Sequence, residues 1–246
     1  MPNSKVAIIT GASRGIGAEI AKILAHQGIT VVVNYTSNSA AADSVVDEIK
    51  LNGGNATAFQ ADVSNHPQVS SMFDHAINVF GGVDILINNA GVMQPGQINL
   101  SETDDELFDK IVAVNLKGAF NTMKMAAKKL RENGRVINLS SSVVGLAFPG
   151  YSVYAATKAG VETMSAIYTK ELRGKNITVN TIAPGPTATE LFLEGKSEEQ
   201  INGLAKMPPL ERLGTPEDIA KVVSFIVSDQ SEWVNGQTIR VNGGIV

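Results

Sequence analysis

Short apolar runs rich in β-branched residues recur along the chain, at Lys5–Thr10, Ile29–Tyr35, Ala56–Ala61, Val83–Asn88, Arg135–Ser140, Ile177–Ala183 and Gln237–Val241. Most lack the polar alternation of a half-solvated strand, so both faces of each run must be covered. Helical periodicity fills the gaps, over Ile16–Gln27, Ala40–Asn52, Pro67–Phe80, Asp104–Glu132, Tyr154–Arg173 and Pro216–Ser228. Ser64 and Thr215 read as N-caps, the second followed by Pro216 at the first helical position. Gly28 and Gly53-Gly54 read as helix stops. Fully covered strands alternating with helices predict an α/β chain: a doubly wound, Rossmann-like parallel sheet of about seven strands with helices on both faces.

No linker or repeat divides the 246 residues, and residues 1–246 read as a single domain. A hydrophobic share of 43% against 18% charged buries a real core and excludes a disordered chain. Only Pro184–Leu213 lacks a place in the alternation. Carrying Pro184, Pro186, Pro208 and Pro209, it reads as a lid-like excursion above the carboxyl ends of the strands. A net charge of -4 without a dense basic run argues against nucleic acid as a partner. The absence of Cys excludes disulfides, thiolate metal sites and a Cys nucleophile. No apolar stretch approaches the ~20 residues of a membrane span, and Val6-Ala7-Ile8-Ile9 is too short for a signal-peptide core. A cytoplasmic protein that binds no membrane is expected.

The first run leads into Thr10-Gly11-Ala12-Ser13-Arg14-Gly15-Ile16-Gly17 and then a helix. Glycines at such a turn let the backbone approach a pyrophosphate, whose charge the helix N-terminus stabilises. The same letters spell G-x-S-x-G, a hydrolase nucleophile elbow with Ser13 as nucleophile. That rival needs a late histidine base, and the only histidines are His26, His66 and His75. Dinucleotide binding is the reading kept. At the end of the second strand, Asn34-Tyr35-Thr36-Ser37-Asn38 offers no acid for a ribose 2′-hydroxyl. Its hydroxyls and amides, with the Arg14 cation, suit a 2′-phosphate instead, so NADP(H) is the expected cofactor.

Tyr154 and Lys158 stand at i and i+4, on one helical face. Upstream, the fifth strand runs into Ser140-Ser141-Ser142 at the edge where such folds place ligands, and Asn115 sits in the apolar stretch Val114-Asn115-Leu116. A buried Asn there is either a satisfied structural amide or part of a site.

Together with Asn88-Asn89-Ala90-Gly91 and Pro184-Gly185, these motifs resemble the short-chain dehydrogenase/reductase family over nearly the whole chain. The resemblance implies that Tyr154 is the acid/base, that Lys158 lowers its pKa and binds ribose hydroxyls, and that Asn115 holds a proton-relay water. It implies Ser141 as the serine, with Ser142 second, because Ser141 lies thirteen residues before Tyr154. On the cofactor side it implies Gly11, Ser13, Arg14, Gly15, Ile16, Gly17, Asn34, Tyr35, Thr36 and Ser37. To these it adds Asp62 and Val63 at the adenine, Asn89 near the ribose, Thr187 near the carboxamide, and Ala90, Gly91, Pro184 and Gly185 as further cofactor contacts. No metal is implied.

The function expected is reduction of a ketone or aldehyde with NADPH. One alternative is a 3-oxoacyl-acyl-carrier-protein reductase, for which Lys128, Lys129, Arg131, Lys170, Arg173 and Lys175 would form a basic rim. The non-enzyme alternative is a nucleotide-sensing or scaffold protein. Leu191, Phe192, Leu193, Leu204, Met207 and Leu210 are candidates for an apolar pocket wall. The helix from Tyr154 is small or apolar nearly all round, and the C-terminal segment is also apolar. Two such faces predict a homotetramer with two two-fold contacts.

Overall fold

In the computed structural model, which describes residues 4–246, the apolar runs become strands β1 (Val6–Ile9), β2 (Thr30–Tyr35), β3 (Ala56–Gln60), β4 (Val83–Asn88), β5 (Leu130–Leu139), β6 (Thr178–Pro184) and β7 (Thr238–Val241). They form one parallel sheet in the order β3-β2-β1-β4-β5-β6-β7. The helices between them are α1 (Gly15–His26), α2 (Ser39–Leu51), α3 (His66–Phe80), α4 (Asp105–Ile111), α5 (Gly118–Lys129), α6 (Val143–Leu146), α7 (Ser152–Glu171), α8 (Glu190–Leu193), α9 (Glu198–Lys206) and α10 (Pro216–Val227).

Alternate strand residues feed two cores, which is why the runs carry no polar period. Ala7, Ile9, Val31, Val33, Ile85 and Ile87 pack under α1, α2 and α10. Val6, Ile8, Val32, Leu86 and Val136 pack under α3, α5 and α7. Each such aliphatic side chain contributes roughly 1.5–3 kcal/mol on burial, so a charge on either face would break the layer it enters. No helix among the described residues is long and apolar enough to cross a membrane.

Several boundaries differ from the sequence reading. The α3 cap is Asn65, not Ser64: Asn65 Oδ1 accepts from the Gln68 N–H at 3.2 Å, while the Ser64 hydroxyl turns back to Asp62 at 2.8 Å. Thr215 does cap α10, in a reciprocal box with Asp218. Gly28 and Gly53 take positive φ, as stops require. The helix expected over Asp104–Glu132 is not continuous. Asp104 caps α4, a wide π-helical turn fills Val112–Lys117, and α5 ends at Lys129. Leu130 then pairs beside Val83, with a register irregularity before Arg135 joins Ile85, so β5 starts five residues before Arg135. The excursion after β6 holds two helices of its own, α8 and α9, and a parallel bridge from Thr187 to Gly214.

Candidate active site

The strand order reverses between β1 and β4, so successive crossovers leave on opposite faces and a crevice opens above the carboxyl ends. A cleft of about 870 Å³ lies there.

Its glycine side is built by close approach. Gly11 has φ +61°, and a Cβ on it would stand 2.9 Å from Ala90 Cα; one on Gly17 would reach the Gly11 carbonyl at 2.7 Å. The Asn89 amide donates to the carbonyls of Thr10 and Gly11, at 2.9 and 3.0 Å, and locks the turn against β4. The first turn of α1 contains no acid, and its N-cap Arg14 makes no side-chain capping bond, which leaves backbone N–H groups for an anion. Gly11, Ser13, Arg14, Gly15, Ile16, Tyr35, Thr36, Ser37, Asp62, Val63, Asn89, Ala90 and Gly91 all line the cleft, as do Pro184, Gly185 and Thr187. Asn34 does not. Its amide, 1% exposed, accepts from the Gly11 N–H and donates to the Ala61 carbonyl, so it shapes the cradle from beneath. Gly17 likewise acts by the room it leaves.

At the other end of the cleft, α7 presents Tyr154 and Lys158 toward the end of β5. Lys158 Nζ donates to the Leu139 carbonyl at 2.8 Å and sits 5.7 Å from the Tyr154 ring centroid. Burial pulls the ammonium down to about 8. Burial pushes the Tyr154 phenol up to about 12, against a lowering hydrogen bond with Ser141 and with a smaller upward push from Tyr151. The resemblance assigns Lys158 a lowering effect on this phenol; here burial raises it and the lowering influence comes from Ser141. Tyr154 therefore holds its proton at neutral pH while Lys158 keeps its charge.

All three serines line the cleft, and of them Ser141 alone is half-buried rather than buried, beside Tyr154. The Ser142 hydroxyl, 2% exposed, donates to the Ala183 carbonyl at 3.1 Å and accepts from Asn242 at 3.0 Å. Asn115 lies in the π-helical turn. Its amide accepts from the Val92 N–H at 2.8 Å and donates to the Val92 carbonyl at 2.9 Å and to Thr157. Insertions of this kind cluster at functional sites, and Gly91 permits this one: a Cβ there would meet Asn115 at 3.3 Å and Lys158 Nζ at 3.5 Å.

The wall beyond Tyr154 is apolar and aromatic. Leu191, Phe192 and Leu204 reach it from the excursion, whereas Met207 and Leu210 are exposed and Leu193 does not line the cleft. Met93, Leu146, Phe148 and Tyr151 complete it. Sequence reasoning missed these four, although Tyr151, three residues before Tyr154, was within reach of a helical-face argument. The six basic residues weighed as a carrier rim lie elsewhere. Arg131 pairs with Asp84 at the amino end of β4, and Lys175 donates to the Ala127 carbonyl at the end of α5. Among the described residues no histidine lines the cleft that Ser13 lines, so a hydrolase triad has no base there.

A family model described as enoyl-(acyl carrier protein) reductase matches residues 11–246. The chain is similar to a short-chain type dehydrogenase/reductase of Picea abies, 47% identical over 98% of this chain and 92% of the relative. It is also similar to an NADPH-dependent aldehyde reductase-like protein, chloroplastic, of Arabidopsis thaliana, 46% identical over 98% of this chain and 94% of that one. Among solved structures, an angucycline C-6 ketoreductase with bound NADP superposes with a TM-score of 0.92 at 33% identity, covering 98% of this chain and 95% of the other.

Proposed function

The chain belongs to the short-chain dehydrogenase/reductase family, and from that premise we propose that it is an NADP(H)-dependent oxidoreductase reducing a ketone or aldehyde carbonyl to an alcohol, reversibly. The observation that carries the reading is the meeting of Ser141, Tyr154 and Lys158 at one end of the cleft whose other end is the glycine cradle. The names of two relatives, an NADPH-dependent aldehyde reductase-like protein and a ketoreductase with bound NADP, support it. The cradle fits a dinucleotide: Gly11 and Gly17 leave no space for a Cβ, and α1 presents an uncapped, acid-free N-terminus. The pyrophosphate belongs against residues 11–17, the adenine beside Asp62 and Val63, and a 2′-phosphate beside Arg14, Thr36 and Ser37.

When bound, the cofactor supplies the hydride for the carbonyl carbon. The protein does the rest. Ser141 donates a hydrogen bond to the carbonyl oxygen as it gains charge. Tyr154, protonated at neutral pH, delivers its proton to that oxygen. The Lys158 ammonium steadies the charge developing on the phenol and stands ready for the ribose hydroxyls. The apolar wall of Met93, Phe148, Tyr151 and Phe192 excludes water and suits a small-molecule carbonyl compound.

The test is loss of NADPH absorbance with purified protein and a panel of aldehydes, ketones and a 3-oxoacyl thioester. Turnover of the first two classes is expected, and a protein that binds NADPH yet reduces nothing is a sensor. The same assay gives a pH prediction. Below pH 8 Lys158 is an ammonium, and above it the charge is lost, whereas Tyr154 keeps its proton to about 12. Reduction should therefore fall on the alkaline side with one midpoint near 8, by about 10-fold per pH unit beyond it. A rate that stays flat to about pH 10 would remove Lys158 from the catalytic step.

The assembly we propose is a homotetramer with two kinds of two-fold contact. Phe108 on α4, Phe120 on α5 and Ile167 on α7 remain 47%, 46% and 52% exposed on neighbouring helices, and Phe225, Trp233 and Val246 are exposed toward the C-terminal side. Light scattering at micromolar concentration should give four times 25.9 kDa. A monomer mass overturns this reading, and a dimer leaves only one of its two contacts.

A further inference from the structure

We infer that Glu162 is a positioning residue for this reaction, fixing through the Ser140 hydroxyl the end of β5 against which Tyr154 and Lys158 act. The inference rests on the carbonyl-reductase reading above. Tyr154, Lys158 and Glu162 stand at i, i+4 and i+8, so three successive turns of α7 present one face to β5. Each turn meets one of three consecutive residues. Lys158 Nζ donates to the Leu139 carbonyl at 2.8 Å, the Ser140 hydroxyl donates to Glu162 Oε1 at 2.6 Å, and Ser141 lies beside Tyr154 in the cleft. Ser140 is thus the middle residue, with a group serving the ammonium on one side and one serving the phenol on the other.

The contact has the marks of a clamp. Ser140 is 4% exposed, and its N–H donates to the Ile182 carbonyl at 2.7 Å, so its backbone is pinned to β6 while its side chain is pinned to α7. The alternative acceptor for its hydroxyl, the Lys158 carbonyl, is distant at 3.5 Å. Glu162 is half-buried, and no Lys or Arg among the described residues lies within ion-pair reach of it. A carboxylate placed there without a cation has one short charge-assisted bond to justify its partial burial, and that bond holds the turn carrying Ser141. Truncating it frees Ser140 to rotate and lets Leu139 and Ser141 drift from the geometry that proton delivery needs.

The test compares Glu162→Ala, Glu162→Gln, Ser140→Ala and the double Ala variant with the wild type, following carbonyl reduction and NADPH binding by fluorescence. Glu162→Ala should lower kcat by about 10-fold, with NADPH affinity and its KM within about 2-fold. Glu162→Gln keeps an acceptor oxygen and should recover kcat to within about 3-fold of wild type. Ser140→Ala should match Glu162→Ala, and the double variant should be no slower than either, because both act through one bond. Should Glu162→Ala fail to fold by thermal melting, Glu162→Gln and Ser140→Ala decide the matter. Unchanged kcat in the Ala variants, losses that multiply in the double variant, or a parallel fall in NADPH binding would each overturn the inference. A wild type that reduces no carbonyl overturns the function beneath it, a result distinguishable from all of these.

Discussion

Tyr154→Phe should abolish carbonyl reduction, lowering kcat by at least about 10³-fold, while NADPH still binds and quenches or shifts fluorescence as in the wild type. The substitution removes one oxygen from a ring already held between α7 and the cleft, so packing barely changes. What is lost is the proton that burial keeps on the phenol at neutral pH. Neither Lys158 nor Tyr151, which line the same cleft, is expected to replace it. Lys158 is committed to the Leu139 carbonyl, and the Tyr151 phenol is itself pushed upward by burial without a partner that aims it. Ser141→Ala should follow, with a loss of about 10²-fold, the scale of removing one donor from a developing oxyanion. Ser142→Ala should behave differently. Its hydroxyl ties the turn after β5 to the Ala183 carbonyl and to Asn242, so that variant should lose about 1 kcal/mol of stability and keep turnover within a few-fold. If Ser142→Ala proves the slower enzyme, or Tyr154→Phe retains turnover, the assignment of proton donor and oxyanion donor is wrong.

The parts of this site legible from sequence are those whose signal is local. A strand with no polar alternation announces a doubly covered sheet, and a Tyr and a Lys one turn apart announce a shared face whatever lies opposite. The parts that stayed hidden depend on what a residue meets across the fold. Ser64 and Asn65 are both good caps, and only the pull of Asp62 on the serine hydroxyl decides between them. Val112–Lys117 has nothing in its composition that marks a π-helical turn; the widening goes with Asn115 pairing with the main chain of Val92 on a distant loop. Glu162 reads as an ordinary helix-surface acid until the register of α7 against β5 brings it to Ser140. One feature was legible and passed over. Ser197 and Gln200 form a capping box that opens α9, a signature visible in the letters of the excursion.

Cofactor choice turns on charge at the end of β2, and the expected result is a kcat/KM for NADPH at least about 10-fold above that for NADH. The carboxylate that would hold a ribose 2′-hydroxyl is missing: Thr36 and Ser37 stand exposed at the cleft, and Asn38 turns its side chain to cap α2 through the Ala41 N–H. Arg14 supplies the cation. Its guanidinium pairs with Glu190 of α8 at 3.1 Å, with 62% and 76% of the two side chains exposed. An exposed pair of this kind contributes at most about 1 kcal/mol, whereas a charged hydrogen bond to phosphate contributes about 1.5–3 kcal/mol, so a 2′-phosphate outcompetes the lid for Arg14. Arg14→Ala should therefore cost about 10- to 100-fold in kcat/KM with NADPH and little with NADH. Ser37→Asp should act in both directions at once, repelling the 2′-phosphate and offering a ribose hydroxyl its acceptor. Combined with Arg14→Ala, it should reverse the preference. Parallel kinetics with the two cofactors decide the point: a wild type that prefers NADH, or an Arg14→Ala variant that loses both activities equally, would show that this turn does not read the phosphate.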